Sequence, residues 1–278
     1  MLCPKLLVAV AFLAPVFAQT HTDCNPMNQT CPPDAAFGTS HTFVFNTSRT
    51  VTDTFNTTAG ALSYGSDGAE FTVAKRGDSP TIQSNFHIFW GQVSVILKAA
   101  PGQGIVSSVV LQSDDLDEID WEWIGGNGTY VQTNYFGKGN TTSYDRAVWH
   151  EVSSDVRDNF HNYTTFWTQE KIDFYIDGTK VRTLPYAAAN GGSNYPQTPM
   201  DVRMGIWAGG DPANDKYTIQ WAGGATDFTK APYTMNVKEA YVQDFSNGTE
   251  YEWTDRSGSF QSIKAIAQVN LASLLTAN

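Results

Sequence analysis

Short runs of alternating apolar and polar residues occupy most of the chain. Glu70–Val73, Ser94–Lys98, Val106–Leu111, Tyr130–Phe136 and Lys171–Ile176 are rich in β-branched or aromatic residues. A two-residue period of this kind marks strands with one buried face. Gly, Asn and Asp punctuate the runs, and the pair Asp177-Gly178 closes the last one with hairpin chemistry. The pattern holds from Thr42 to Asp244 without an internal repeat or a Ser/Pro-rich linker. It predicts a single all-β domain over residues 19–258, built as a two-sheet β-sandwich. Only the C-terminal segment, residues 259–278, departs from it. There Phe260, Ile263, Ile266, Leu271 and Leu274 are spaced as on one face of a short amphipathic helix over 259–275.

Residues 1–18 read differently again. Lys5 precedes the apolar run Leu6–Phe17, and Val16-Phe17-Ala18 suits cleavage before Gln19, the layout of a secretory signal. The run is short of the roughly 20 apolar residues that cross a bilayer, so no transmembrane span is expected. Loss of the signal removes Cys3 and leaves Cys24 and Cys31. An even pair in an exported protein predicts a disulfide that pins the N-terminus. Seven sequons, at Asn28, Asn46, Asn56, Asn127, Asn140, Asn162 and Asn247, agree with a glycosylating secretory route.

Composition narrows the partners. Charged residues are 16% and aromatics 13%, with a formal net charge of −11. That balance argues against nucleic acid or an anionic membrane surface, and the aromatic content argues against disorder.

The candidate chemistry lies in Asp117-Glu118-Ile119-Asp120-Trp121-Glu122-Trp123. On a strand Ile119, Trp121 and Trp123 share one face, bulky enough to anchor a core. Glu118, Asp120 and Glu122 share the other, where mutual repulsion raises one or more pKa values. Two carboxyl groups flanking a scissile bond are the working parts of a glycosidase. Cα atoms four apart on a strand are about 13 Å apart, which by itself decides neither the retaining nor the inverting spacing. The competing readings are an acidic solvent face and a Ca²⁺ site. The first would be interspersed with cations, yet no Lys or Arg occurs between Lys98 and Lys138; the second favours a loop rich in carbonyl ligands over a straight strand. No Ser/His/Asp set, phosphate loop or Cys/His metal spacing competes. Neither a metal nor a cofactor is expected.

The segment Glu118–Glu122 resembles the signature of glycoside hydrolase family 16, and it has company. Lys98–Gly104 resembles the family's lead-in strand and turn, and Val131–Phe136 a cleft strand. Phe160–Trp167 with Ile172–Gly178 resembles its next hairpin, and Gly205–Ala208 its aromatic subsite strand. These matches run in order over roughly 80–245. Trp121 and Trp123 followed by Ile124–Asn127, with the early Cys24-Asn25-Pro26…Cys31 loop, are similar to the fungal Crh-type cell-wall transglycosylases. The resemblance implies a concanavalin-like jelly roll with a concave cleft. It also implies a retaining enzyme that cleaves chitin and passes the released end to β-glucan or chitin, with Glu118 as nucleophile, Asp120 as helper and Glu122 as acid/base. Many members carry a Ser/Thr-rich stalk and a lipid-anchor signal, and the sequence to Asn278 has neither. The expectation is therefore a secreted, monomeric, extracellular cell-wall protein, anchored only if the chain continues past Asn278. A secreted endo-β-1,3(4)-glucanase and a lectin-like sugar-binding protein are the alternatives, the lectin having no use for three aligned carboxylates.

Alternation also sorts the flanking strands. Gln132, Asn134 and Phe136, with Tyr130, share a face; so do Arg203 and Trp207. Aromatic platforms beside amide and charged groups suit a sugar site. These six residues and Trp221 are assigned to the cleft. Trp90, Trp149, Trp167 and Trp253 are read as core, and His150 and His161 as structural.

Overall fold

The computed structural model describes residues 22–48 and 53–267. The expected signal, Met1–Ala18, and Cys3 lie outside the described residues. In chain order the first nine strands are β1 (Asp34–Ala35), β2 (Ser40–Val44), β3 (Phe55–Ala59), β4 (Ser63–Gly65), β5 (Gly68–Val73), β6 (Thr81–Ser84), β7 (Gly91–Lys98), β8 (Ile105–Ser113) and β9 (Glu118–Ile124). They are followed by β10 (Tyr130–Phe136), β11 (Val148–Glu151), β12 (His161–Trp167), β13 (Lys171–Ile176), β14 (Thr179–Pro185), β15 (Met200–Ala208), β16 (Tyr233–Asp244), β17 (Glu250–Trp253) and β18 (Ile263–Ile266). A short helix, α1 (Lys216–Trp221), is capped by the Asp215 side chain.

Two antiparallel sheets form the sandwich that the alternation predicts. The front sheet runs β11-β10-β9-β8-β15-β6-β3; the back sheet runs β14-β13-β12-β7-β16-β5-β4, with β2 also paired to β16. All five strand runs singled out in the sequence lie in strands. Asp177 (φ 48°) and Gly178 (φ 78°) both adopt left-handed backbone between β13 and β14, as a two-residue hairpin turn requires.

The core lies between the sheets, and β9 is fastened into it from its apolar face. Trp121 and Trp123 are fully buried. The Trp121 ring packs edge-on against Phe174 and tilted against Tyr163, and its Nε1 donates to Thr165 Oγ1 at 3.0 Å. Tryptophans bring large buried area and a polar N–H that finds a partner. With Ile119 buried in the same row, this face holds the strand, so its opposite face is presented in a set register.

The C-terminal segment corrects the sequence reading. Phe260–Ser262 make a single 3₁₀ turn capped by Ser259, and Ile263–Ile266 form β18 rather than a helix. Strand β18 pairs with β17, which pairs with β1 in a small third sheet. Isoleucines three apart fit one helix face, but β-branched residues also favour a strand. The unpaired edge of β17 decides between them by supplying backbone partners. Leu271 and Leu274 lie outside the described residues. At the other end, Cys24 and Cys31 form the expected disulfide.

Candidate active site

Register places the sugar-site candidates around β9. On one side of it, β10 sets Gln132 opposite Glu122, Asn134 opposite Asp120 and Phe136 opposite Glu118. On the other side, β8 sets Ser108, Val110 and Gln112 opposite the same three carboxylates. Strand β15 then brings Asp201, Arg203 and Gly205 beside Gln112, Val110 and Ser108. Directly paired residues share a sheet face. One face of the front sheet therefore carries Glu118, Asp120, Glu122, Gln132, Asn134, Phe136 and Arg203, with Tyr130 at the exposed start of β10.

Burial makes the carboxylate row unusual. Glu118 and Asp120 are buried and Glu122 is half-buried. Asp120 hydrogen-bonds Glu118, and its own pKa stands well above the ordinary carboxyl range through burial, then through the charges of Glu118 and Glu122. Glu122 is pushed up to about 8, first by burial and then by Glu118. Three carboxyl groups so close cannot all ionise. Burial and mutual repulsion thus favour the protonated forms of Asp120 and Glu122. Such a set can attack with one carboxylate while donating a proton from another.

A fixed network extends the row across β8 and β15. The Arg203 Nε donates to Asp201 Oδ1 at 2.7 Å, and an Arg203 terminal nitrogen donates to Gln112 Oε1 at 2.6 Å. Arg203 is thus buried and bound by neighbours on its own face.

The two assigned tryptophans differ in placement. Trp207 is 7% exposed and packs with Val106, Ile124 and Ala222. Trp221, at the end of α1, stacks over it with ring centroids 6.2 Å apart. The half-buried Trp221 also donates from Nε1 to Gln132 Oε1 at 3.3 Å. Trp207 is therefore the support, and Trp221 the more exposed ring, bonded to the β10 partner of Glu122.

Trp149 corrects the sequence reading. It is 44% exposed, not core, and sits opposite Gln132 on the edge strand β11, hence on the carboxylate face. Val148-Trp149-His150-Glu151 is too short for alternation to show which face is buried. His150 is the inward residue and bonds Thr133 Oγ1; His161 bonds Asp177 and Ser154. Both histidines are structural, as expected. Trp167 is core, while Trp90 and Trp253 are half-buried. Asn28, Asn46, Asn56, Asn127 and Asn247 are exposed, Asn140 and Asn162 half-buried.

A model of the glycosyl hydrolases of family 16 matches residues 50–223, from β3 through α1 and across the whole carboxylate strand. The chain belongs to glycosyl hydrolase family 16. Within the family it is similar to Crh-like protein 2 of Botryotinia fuckeliana (strain B05.10), 66% identical over 264 residues. That alignment covers 94% of this chain and 58% of the relative, so the chain spans well under two thirds of that protein's length. Crh-like protein 3 of Aspergillus fumigatus is 53% identical over 93% of this chain and 71% of its own length. A solved structure of Crh5 transglycosylase in complex with NAG superposes with a TM-score of 0.85 at 51% identity, covering 87% of this chain and 100% of that one. A Bacillus licheniformis β-glucanase, at 22% identity and a TM-score of 0.63, covers 75% of this chain and 99% of its own. It shares the family-16 fold, the jelly roll that the sequence resemblance implied.

Proposed function

We propose that this chain is a secreted retaining transglycosylase of the fungal cell wall, which cleaves chitin and passes the released end to a β-glucan or chitin acceptor. The observation that carries this reading is the buried row Glu118-Asp120-Glu122, in which burial and the neighbouring charges raise the pKa values of Asp120 and Glu122. The high identity to Crh-like proteins, and the NAG held by the Crh5 transglycosylase, support chitin as the donor.

In the first step the Glu118 carboxylate attacks the anomeric carbon, and Glu122 gives its proton to the departing glycosidic oxygen. The bond to the leaving sugar breaks as the bond to Glu118 forms, leaving a covalent glycosyl-enzyme and an ionised Glu122. The proton on Asp120 follows the charge on Glu118 and holds its orientation. In the second step Glu122 takes a proton from an acceptor hydroxyl, whose oxygen displaces Glu118 from the sugar. Trp221, Gln132, Tyr130 and Trp149 are the groups on this face that hold sugars, and an acceptor sugar bound there outcompetes water.

Mass spectrometry of products tests the reading. A chitin oligosaccharide is incubated with the protein, with and without a labelled β-1,3-glucan oligosaccharide. Products joining the two sugars are expected. Chitin fragments alone would make the protein a hydrolase, and cleavage of β-glucan without action on chitin would move it to the glucanases.

A further inference from the structure

A cavity of about 260 Å³ lies where the N-terminal segment crosses the front sheet, lined by Thr22, Asp23, Cys24, Pro32, Gln83, Asp114 and Arg203. Two observations connect it to the active site. Arg203 pairs with Val110, which pairs with Asp120, so it stands about 10 Å from Asp120 at two strand spacings. Gln83 pairs with Arg203 on the far side and donates to Asp201 Oδ2 at 2.7 Å. The cavity floor is thus a lateral continuation of the carboxylate face across β15 and β6.

Its wall comes from elsewhere in the chain. The Cys24–Cys31 disulfide closes a ring, folded inside by Asn28 and Gln29 amides donating to the Asn25 carbonyl and by Met27 N–H donating to Asn25 Oδ1. Thr22 Oγ1 donates to Asp114 Oδ1 at 3.1 Å. The segment that leads into the ring is thereby tied to the β8–β9 turn, four residues before Glu118.

We propose that this cavity is a distal subsite of the substrate cleft, which takes one neutral sugar residue of the polysaccharide chain remote from the scissile bond, and that the disulfide ring is its wall. The proposal rests on the glycosidase reading above. A cavity this size is below the range that holds a drug-sized ligand, and suits one pyranose. Its lining mixes two carboxylates, an amide and a hydroxyl with a guanidinium held in place by Asp201 and Gln112. Sugar hydroxyls both donate and accept, and so match that mixture. A polyanion would meet Asp23 and Asp114 with like charge. The apolar part of the lining is Cys24 of the ring and Pro32, which directly follows it.

The test is the dependence of kcat/KM on substrate length. Chitin oligosaccharides of increasing length are offered as donors, and in a second arm β-1,3-glucan oligosaccharides of increasing length as acceptors, to wild type, Asp23→Ala and the ring-opened Cys24→Ser/Cys31→Ser. For wild type, kcat/KM rises with each added sugar until the distal subsite is filled. In both variants the ratio of long-chain to short-chain kcat/KM falls about tenfold, the usual worth of hydrogen bonding to a charged group. The arm in which it falls shows whether the subsite serves donor or acceptor. Melting temperature identifies a misfolded ring-opened protein, and Asp23→Ala, an exposed position, then decides alone. An unchanged ratio in both arms, with active protein, would overturn the subsite and leave the transglycosylase reading intact. Wild type inert on chitin and β-glucan alike would overturn both.

Discussion

At the scale of single residues, the function reduces to where protons sit. Glu118→Gln should abolish turnover while keeping the melting temperature near wild type, because the amide fills the same space. Retained turnover, measured as reducing ends or transfer products, would remove Glu118 from the nucleophile role. Glu122→Gln should slow the reaction by about 10²–10⁴-fold, the worth of a general acid. In the proposed mechanism Glu122 is the acid, and burial pushes its pKa up to about 8, so wild-type kcat/KM should fall as pH rises through that value and the Glu122→Gln profile should lack that limb. A second buried proton lies just upstream. Thr198 Oγ1 is 2.8 Å from Ser113 Oγ, Asp115 Oδ1 and Asp117 Oδ2, and a hydroxyl with one proton cannot serve two carboxylates. Asp117 accepts backbone N–H groups from Lys138 and Gln197 and is the better anion. Asp115, wholly buried with Oδ2 unpartnered, is the group that stays protonated. Burial, then the charge of Asp117, pushes it up to about 8, while Lys138 opposes. Since the folded state holds this proton more tightly than the unfolded chain, its contribution is complete below about pH 4 and is lost as pH rises through about 8. Asp115→Asn has no proton to lose. Its melting temperature should gain on wild type between pH 5 and pH 8, and parallel curves would place the proton elsewhere.

At the scale of elements, the site depends on β9 being held at both ends. Its N-terminal end is fixed through Asp117. Its C-terminal end runs into Gly125, where an added Cβ would come within 2.5 Å of the Gly102 carbonyl oxygen and 2.7 Å of that of Ala100. Gly125→Ala should therefore cost about 1–3 kcal/mol, as overpacking usually does, and lower kcat by shifting Glu122. Denaturant unfolding and kinetics on the same sample check both effects. Element type was legible in the chain where the two-residue period ran long, as in β9, β10 and β13. It failed where the segment was short. Four residues of β11 could not reveal that Trp149 faces out and His150 in. Ile263 and Ile266 fit a helix until β17 offered β18 its hydrogen bonds.

At the scale of the whole molecule, segments distant in sequence cover the front sheet from two sides. The segment with α1 brings Trp221 onto Trp207, and the N-terminal ring closes over Arg203 and Gln83. The two tryptophans should therefore separate in experiment. Trp207→Ala, at a buried position, should lower stability by about 3–5 kcal/mol, whereas Trp221→Ala should raise KM for oligosaccharides with a smaller change in melting temperature. Equal effects on both measurements would mean that the stack acts as one unit. The sequence by itself determined the all-β class, the placement of Glu118, Asp120 and Glu122 on one face, and the pairing of Cys24 with Cys31. Each follows from local period or from counting, and needs no knowledge of neighbours. Only the tertiary structure decided which carboxyls burial pushes toward their protonated forms, which tryptophan lies beneath the other, and what the disulfide ring lies beside. Those depend on desolvation and on contacts between strands far apart in the chain, which no local pattern records.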